Sequence, residues 1–391
     1  MGRNVAMVGP WQEVQALAAP LQFSASGAPQ GFSGHNVQAA AFVSPTTGWI
    51  VARGGRPPMQ CLLRTEDAGV TWTRQLAWTG GIYGRLWGFD AQRAGLVLGM
   101  DFGRSHEVNG QPVAVGEFFY SYLAGTSDGG ATWTLGSPSD RQGSGAYFLS
   151  PQQIWLLIDV PGAVVGRSDL ARTGDGGATW SRIEGEDELA VIDVAFSSPN
   201  DGLLVATELR RADILHRTND SGLTWTRQHL TPPPRMPKSA ETWLFPVVTP
   251  EVGNLLTLRA VSSRESAARP AWEGTYAYAR DGDGWSGPHR LPTAPASVGH
   301  DLLVPDPDGR LWCASGHDVW VGHDLDGPWR RVPWQGTGED PLGPGYAQVP
   351  GAEVIAGIWP VGGGVLWLTS TYGCLYRSDD DGAHWQRLSI I

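Results

Sequence analysis

The chain has 391 residues, of which 41% are hydrophobic and 17% are charged, and its formal net charge is −11. This negative charge argues against general nucleic-acid binding, because that function needs a positive field to displace the counterions of the phosphates. The three cysteines are odd in number and far apart, which argues against a disulfide framework and a CxxC metal site. We predict no metal and no cofactor.

The N-terminal stretch MGRNVAMVGPWQEVQALAAP (1–20) has no apolar run of signal-peptide length, and no run in the chain approaches the length of a membrane span. The sequence as given is therefore expected to be cytoplasmic, or periplasmic or exported if a signal has been removed. Within this stretch, WQEVQAL (11–17) resembles the short strands that follow each repeat described below. Its place in the fold is left open between an added strand and packing on a rim.

One eight-residue phrase recurs along the chain. The copies are TEDAGVTW (65–72), TSDGGATW (126–133), TGDGGATW (173–180), TNDSGLTW (218–225) and SDDDGAHW (378–385), with degenerate copies ARDGDGW (279–285) and GHDLDGPW (322–329). The seven copies have a mean spacing of about 52 residues, which lies in the range of β-propeller repeats.

Each copy stands among short apolar segments that read as strands. One segment precedes it, as in CLLRT (61–65), and another follows it, as in WTRQL (72–76). Two more lie upstream and are joined by a Ser/Pro/Asn/Gly turn, as in VIDVAFSSPNDGLLVAT (191–207). We label the four strands A to D and predict an all-β, seven-bladed β-propeller of four-stranded antiparallel blades over 37–391, with 1–36 packing on the propeller or closing it.

The recurring phrase is then the turn between strands C and D. Its Asp can accept hydrogen bonds from backbone N–H groups of the turn, its Gly supplies a positive φ, and its Trp offers a large apolar face. We therefore predict a structural role for the Asp and Trp of six copies. These residues are Asp67, Trp72, Asp128, Trp133, Asp175, Trp180, Asp220, Trp225, Asp324, Trp329, Asp380 and Trp385.

The pattern S/T-x-D-x-G-x-T-W resembles the Asp-box, or bacterial neuraminidase repeat, over nearly the whole chain. Proteins with this repeat include sialidases, xyloglucan-cleaving enzymes, sortilin-type receptors and the photosystem II stability/assembly factor group, and similar repeats occur widely in bacteria. AFVSPTTGWIVARGG (41–55) with LLRTEDAGVTW (62–72) is most similar to the last group. The resemblance implies Asp-boxes on a rim away from the binding face, and an arginine patch that grips a membrane-protein segment.

The connections from strand B to C and from D to the next A carry the long insertions, so one face of the predicted propeller is elaborated. We call it the long-loop face and expect function there, because binding residues concentrate on loops held by a rigid scaffold. Arginines recur in this region. One interpretation is that they are solvated and paired with nearby acidic residues, and the other is that they form a ring able to bind carboxylates of a ligand. The candidate binding residues are Arg53, Arg104, Arg167, Arg210, Arg211, Arg259, Trp78 and Tyr83.

Two functions follow from this pattern. The first is a non-catalytic scaffold, without catalytic residues, that binds a protein or peptide as a soluble monomer; carbohydrate is a further possible ligand. The second is a divergent glycoside hydrolase with its site at the same mouth, which needs two carboxylates roughly 5–10 Å apart. Loop carboxylates exist, such as Asp101, Glu107, Glu273 and Asp340, and Tyr83, Tyr276, Tyr346 and Tyr372 are available as nucleophiles. The Arg-Ile-Pro phrase of sialidases is absent from the sequence.

Overall fold

The fold was analysed in a computed structural model. It describes residues 3–5, 12–15, 19–22, 36–54, 59–79, 84–101, 106–108, 111–113, 119–136, 143–159, 168–183, 189–208, 213–238, 240–249, 253–262, 272–292, 302–334 and 354–388. These residues form strands and turns, without a helix among them. In this part of the chain, then, no helix has the length and apolar character that crossing a membrane needs.

The predicted fold class is confirmed: the described strands form seven four-stranded antiparallel blades, as in a seven-bladed β-propeller. The chain divides into two compact units, Met1–Gly185 with Ile391 and Glu186–Ile390. The first unit contains blades one to three and the second contains blades four to seven. The domain boundary proposed at residue 36 stays a prediction.

The first unit begins with three short strands, β1 (Arg3–Val5), β2 (Gln12–Gln15) and β3 (Ala19–Gln22). Blade one consists of β4 (Asn36–Phe42), β5 (Gly48–Gly54), β6 (Met59–Thr65) and β7 (Thr71–Thr79). Blade two consists of β8 (Gly84–Gly88), β9 (Ala94–Asp101), β12 (Phe119–Thr126) and β13 (Thr132–Gly136), with a hairpin of β10 (His106–Val108) and β11 (Gln111–Val113) between its B and C strands. Blade three consists of β14 (Gly143–Phe148), β15 (Ile154–Asp159), β16 (Ser168–Thr173) and β17 (Trp180–Ile183).

The three N-terminal strands each add a fifth, outer strand to one blade of the first unit. They do so in reverse blade order, because β1 pairs with β17, β2 with β13 and β3 with β7, all antiparallel. In this register one residue of each added strand lies opposite the Trp of a recurring turn. The pairs are Val5 with Trp180, Val14 with Trp133 and Leu21 with Trp72.

The second unit repeats the plan four times. Blade four consists of β18 (Leu189–Phe196), β19 (Gly202–Glu208), β20 (Asp213–Thr218) and β21 (Thr226–Arg227), and blade five of β22 (Glu241–Thr249), β23 (Gly253–Ser262), β24 (Trp272–Asp281) and β25 (Gly284–Arg290). Blade six consists of β26 (Leu302–Pro305), β27 (Leu311–Ser315), β28 (Asp318–Gly322) and β29 (Arg330–Val332), and blade seven of β30 (Ile355–Pro360), β31 (Leu366–Ser370), β32 (Leu375–Ser378) and β33 (Gln386–Leu388).

The core lies between the faces of neighbouring blades. The B strands are apolar on both faces, so Trp49, Ile50 and Val51 of β5 are all fully buried. A strand with such a continuous apolar run must be covered on both sides, which adjacent blades provide. All three cysteines are free and buried, and burial raises the pKa of the Cys61 thiol despite the opposing charge of Arg74.

One sequence interpretation needs correction. Trp78 is predicted as a binding residue of the long connections, yet it lies within strand β7, because that strand continues to Thr79. Its backbone pairs with Gln60 of β6. Strand β7 extends beyond the WTRQL segment (72–76) to Thr79. The added residues include Trp78 and Thr79, whose side chains favour strands.

Candidate binding surface

The recurring turns are corners that satisfy their own polar groups. In the first, Asp67 Oδ1 accepts hydrogen bonds from Thr71 N at 2.8 Å and Thr65 Oγ1 at 2.9 Å. Thr71 Oγ1 donates to Asp67 Oδ2 at 2.5 Å, and Gly69 N donates to Thr65 Oγ1 at 2.9 Å. The same bonds form around Asp128, Asp175, Asp220 and Asp380, with His384 in the place of the second Thr in the last copy.

Hydrogen bonding keeps these carboxylates ionised. Partial burial alone would raise the pKa of Asp175, but hydrogen bonds from Thr179 and Thr173 outweigh it and lower the pKa to about 2. The pKa of Asp380 is also about 2, chiefly because the backbone and side chain of His384 bond to it. A carboxylate held in this way is engaged with its own turn and cannot donate a proton at neutral pH.

The two degenerate copies turn differently. In blade five Asp281 pairs with Gly284 across a two-residue turn, so the eight-residue corner is absent from this described hairpin. In blade six Asp324 Oδ1 accepts a hydrogen bond from Asp326 N at 2.9 Å, within the turn. Where these two copies depart from the repeat sequence, the backbone of the turn therefore also differs from that of the other copies.

An arginine directly before the turn was missed by the sequence analysis. It recurs in the C strands as Arg64, Arg172, Arg217, Arg280 and Arg377. Arg64 Nη2 donates to Ala91 O at 2.8 Å, and Arg217 and Arg280 both bind Asp201, at 3.1 and 2.7 Å. Arg64 and Arg280 thereby connect neighbouring blades at the turn end, while Arg217 bonds to Asp201 within its own blade. The signal in the sequence was an RT, RS or AR pair at five of the seven turns.

The predicted binding residues are placed only in part. Arg53 is exposed on β5 near the connection from B to C, and Trp78 lies in β7. Arg259 lies on β23 of blade five and is half-buried. The remaining candidates, Tyr83, Arg104, Arg167, Arg210 and Arg211, lie outside the described residues.

Arg259 belongs to a small polar and aromatic surface at the long-loop end of blade five. Its Nη2 lies 3.1 Å from Glu273 Oε1, and the two side chains are 19% and 18% exposed. Trp243 on the A strand is the direct cross-strand partner of Arg259 and is 39% exposed. Residues opposite each other in an antiparallel pair project from the same face, so the indole and the guanidinium are neighbours there.

The A strand of blade four, which contacts the A strand of blade five, also carries an exposed apolar side chain. Ile192 is 49% exposed and lies on β18, the A strand, where a bulge separates the pairs of Val191 and Asp193. A bulge re-aims the side chain of the extra residue. The described residues have two other exposed large hydrophobic side chains, Val70 and Leu223, and both lie on recurring turns.

We name the set Trp243, Ile192, Arg259 and Glu273 the inner-strand surface. It combines exposed apolar side chains on two contacting A strands with a cation, next to Trp243, that is paired with a carboxylate. This combination suits an extended segment with apolar and acidic groups. In the described part of the chain every aspartate with a shifted pKa has it lowered, and no group of three or more His, Cys, Asp or Glu is placed to hold a metal ion.

Comparison with known proteins gives the fold. No family model and no curated protein matches the chain. A prolyl endopeptidase structure is 11% identical with a TM-score of 0.54, covering 91% of this chain and 48% of that one. YCF48 from Cyanidioschyzon merolae is 13% identical with a TM-score of 0.49, covering 92% and 98%. A structure of YCF48 bound to D1 peptide is 16% identical with a TM-score of 0.39, covering 97% and 86%. At 11% identity the likeness to the prolyl endopeptidase structure concerns the fold alone.

Proposed function

We propose that the protein is a non-catalytic recognition scaffold that binds a protein or peptide partner on its long-loop face. The observation that carries the proposal is the inner-strand surface, in which an exposed indole lies beside a half-buried Arg259–Glu273 pair. Tryptophan and arginine are the residues that most often dominate binding energy in interfaces. An exposed tryptophan on a well-ordered strand also loses little conformational entropy when a partner covers it.

Chemistry at the same surface favours binding over hydrolysis. A glycoside hydrolase needs one carboxylic acid that stays protonated beside a second carboxylate. Glu273, a carboxylate that the hydrolase hypothesis considers, instead forms an ion pair with Arg259. The contact described for Glu273 is thus with a guanidinium, whereas the hydrolase mechanism relies on a pair of carboxylates.

The partner's chemistry follows from the surface. Trp243 and Ile192 would contact apolar side chains, and Arg259 would take a carboxylate in exchange for, or together with, Glu273. Of the other predicted arginines, Arg210 and Arg211 belong to the same unit and would extend the contact, and Arg53, Arg104 and Arg167 of the first unit stay separate predictions. We therefore expect an extended segment with mixed apolar and acidic side chains.

The test is a quantitative pull-down from the source lysate with four baits: wild type, Trp243→Ala, Arg259→Lys and Leu223→Ala. Leu223 is the matched control, because it is also an exposed apolar residue of the second unit but lies on a recurring turn. We expect one protein to be recovered equally by wild type and Leu223→Ala, and at least tenfold less by Trp243→Ala. Equal recovery by all four baits, or no specific protein with wild type, would reject the proposal.

A further inference from the structure

A cavity lies in the first unit, at the turn end of blades two and three, away from the long-loop ends. Its volume is about 210 Å³, far above the roughly 15 Å³ that a single water needs. The C–D turn of blade two, the A–B turn of blade three and the C–D turn of blade three contribute to its walls. Its polar and glycine lining includes Gly125, Thr126, Gln152, Asp175 and Gly176.

The cavity coincides with a break in an internal pattern. In blade one, Trp49 of strand B is the cross-strand partner of Arg64 of strand C, and the guanidinium lies 5.4 Å from the centre of the indole ring. Blade seven repeats the pair with Trp367 and Arg377 at 5.3 Å, and blade three places Trp155 opposite Arg172. In blade two the two positions are Gly95 and Gly125, which are cross-strand partners of each other.

Blade one shows what holds the guanidinium. Arg64 Nη2 donates to the carbonyl of Ala91 in the A–B turn of blade two. A methyl group built on Gly129 would lie 3.1 Å from both Arg64 Nη1 and Nη2, so the guanidinium rests against this glycine. Gly129 is itself fixed, because its N–H donates to Gln92 O at 2.8 Å.

The same cradle recurs one blade further on. Pro151, Gln152 and Gly176 stand where Ala91, Gln92 and Gly129 stand around Arg64, and Gly176 N donates to Gln152 O at 2.9 Å. A methyl group built on Gly125 would meet only Pro151 Cβ within 4 Å, at 3.9 Å. The space that Arg64 fills in its own blade therefore stays open beside Gly125.

The chemistry of the cavity suits a planar cation. Its floor includes the ring of Phe148, which lies so close to Gly95 that a methyl group there would overlap it. Guanidinium groups stack on aromatic faces and donate to carbonyl and carboxylate oxygens in fixed directions. The carbonyl of Pro151, which corresponds to the Ala91 carbonyl that binds Arg64, is the acceptor offered to the cation. Asp175 and Thr126 also line the cavity, and their side chains already bond within their own turns.

We propose that this cavity is a binding site for a guanidinium group supplied by another molecule, in the place that corresponds to the one Arg64 fills beside blade one. It is independent of the inner-strand surface. The two sources of such a group are an arginine side chain of a partner protein and a small guanidino compound.

The test uses ligand-observed NMR titrations of the full chain with N-acetyl-arginine amide, agmatine and N-acetyl-lysine amide. The key variant is Gly125→Arg, which restores the pattern and fills the cavity, and the matched control is Gly125→Ala, whose methyl group fits. Gly125→Met fills the same space without a charge and covers the case in which the arginine variant does not fold.

We expect N-acetyl-arginine amide to bind wild type and Gly125→Ala equally and to bind the filled variants at least tenfold more weakly. Preference for the arginine amide over agmatine points to a protein arginine, and the reverse preference points to a small guanidino compound. Equal binding of the lysine amide, equal binding to the filled variants, or no binding to wild type would each overturn the proposal.

Discussion

Gln75 is a buried carboxamide shared by groups of blades one and two. Its Oε1 accepts hydrogen bonds from Trp49 Nε1 at 3.2 Å and Trp133 Nε1 at 3.3 Å, and its Nε2 donates to Gly129 O at 2.9 Å. Because the side chain is only 4% exposed, water cannot replace these partners. A single residue therefore links two blades through two indoles and one turn.

Changing Gln75 to Leu should lower the free energy of unfolding substantially. The variant leaves two buried indole N–H groups without this acceptor, and each unsatisfied buried group costs about 1–3 kcal/mol. We expect the free energy of unfolding in urea to fall by about 3 kcal/mol. Gln228→Leu is the control, because Gln228 accepts one longer bond, from Trp285 Nε1 at 3.4 Å, and should lose less than about 1 kcal/mol. Equal losses in the two variants would contradict the assignment.

The ionised turn aspartates make stability depend on pH in a defined direction. The folded pKa of Asp175 is about 2, below the ordinary value of 3.8, because hydrogen bonds to the turn outweigh the effect of burial. Its contribution is therefore complete above pH 3.8 and is lost as the pH falls towards 2. Asp175→Asn keeps an acceptor but does not titrate.

We expect the stability advantage of wild type over Asp175→Asn to shrink by about 1 kcal/mol between about pH 5 and pH 2, a value reduced for solvent screening of this exposed group. Urea unfolding at several pH values measures it. An advantage that grows as the pH falls would show that the carboxylate is strained in the folded state.

At the scale of elements, the recurring turns fix the backbone φ angles even at positions where the residue type varies. Two consecutive residues after the Asp have a positive φ, and the second of them is always Gly. The first has a positive φ even where it is not Gly, as at Ala68 (66°), Ser221 (67°) and Asp381 (57°). Such residues carry strain that the hydrogen bonds of the turn offset. The N–H of each of these residues also donates to the A–B turn of its own blade.

Two glycines with similar φ values allow the cost of backbone strain to be distinguished from the cost of steric overlap. Gly130 has a φ of 83° and Gly309 a φ of 79°. A methyl group on Gly130 would overlap the Gln75 carboxamide, whereas one on Gly309 meets nothing within 4 Å. We expect Gly309→Ala to lose about 1 kcal/mol and Gly130→Ala at least about 3 kcal/mol, measured by urea unfolding. Similar losses would mean that backbone strain alone decides both sites.

The sequence predicts blades better than it predicts a site. The seven-bladed class was predictable because each blade is a local unit whose turns and alternating strands are written within about 52 residues. Arg259 was found through its position near the connection from B to C. Trp243 was not, because the local residue pattern does not indicate which apolar side chains of a strand stay exposed once the blades have packed. Glu273 was considered as a catalytic carboxylate, and its ion pair with Arg259 is likewise a nonlocal contact.

At the scale of the whole molecule, each blade has two unlike ends. In blades one, two, three, four and seven the turn end satisfies its own polar groups through the recurring corner, which favours a fixed frame. The other end carries the connections from B to C and from D to A, and the inner-strand surface lies there. Repetition of a rigid unit frees one end for variation, which is how repeat scaffolds acquire binding surfaces.

The most direct test of the recognition hypothesis is site-specific photocrosslinking in the source cells, with a benzophenone amino acid at position 243 or 223. Both positions are exposed and belong to the second unit, but only position 243 lies on the inner-strand surface. We predict one protein crosslinked through an extended segment at position 243 and absent at position 223. The same adducts at both positions, or none at position 243, would contradict a recognition function for this surface.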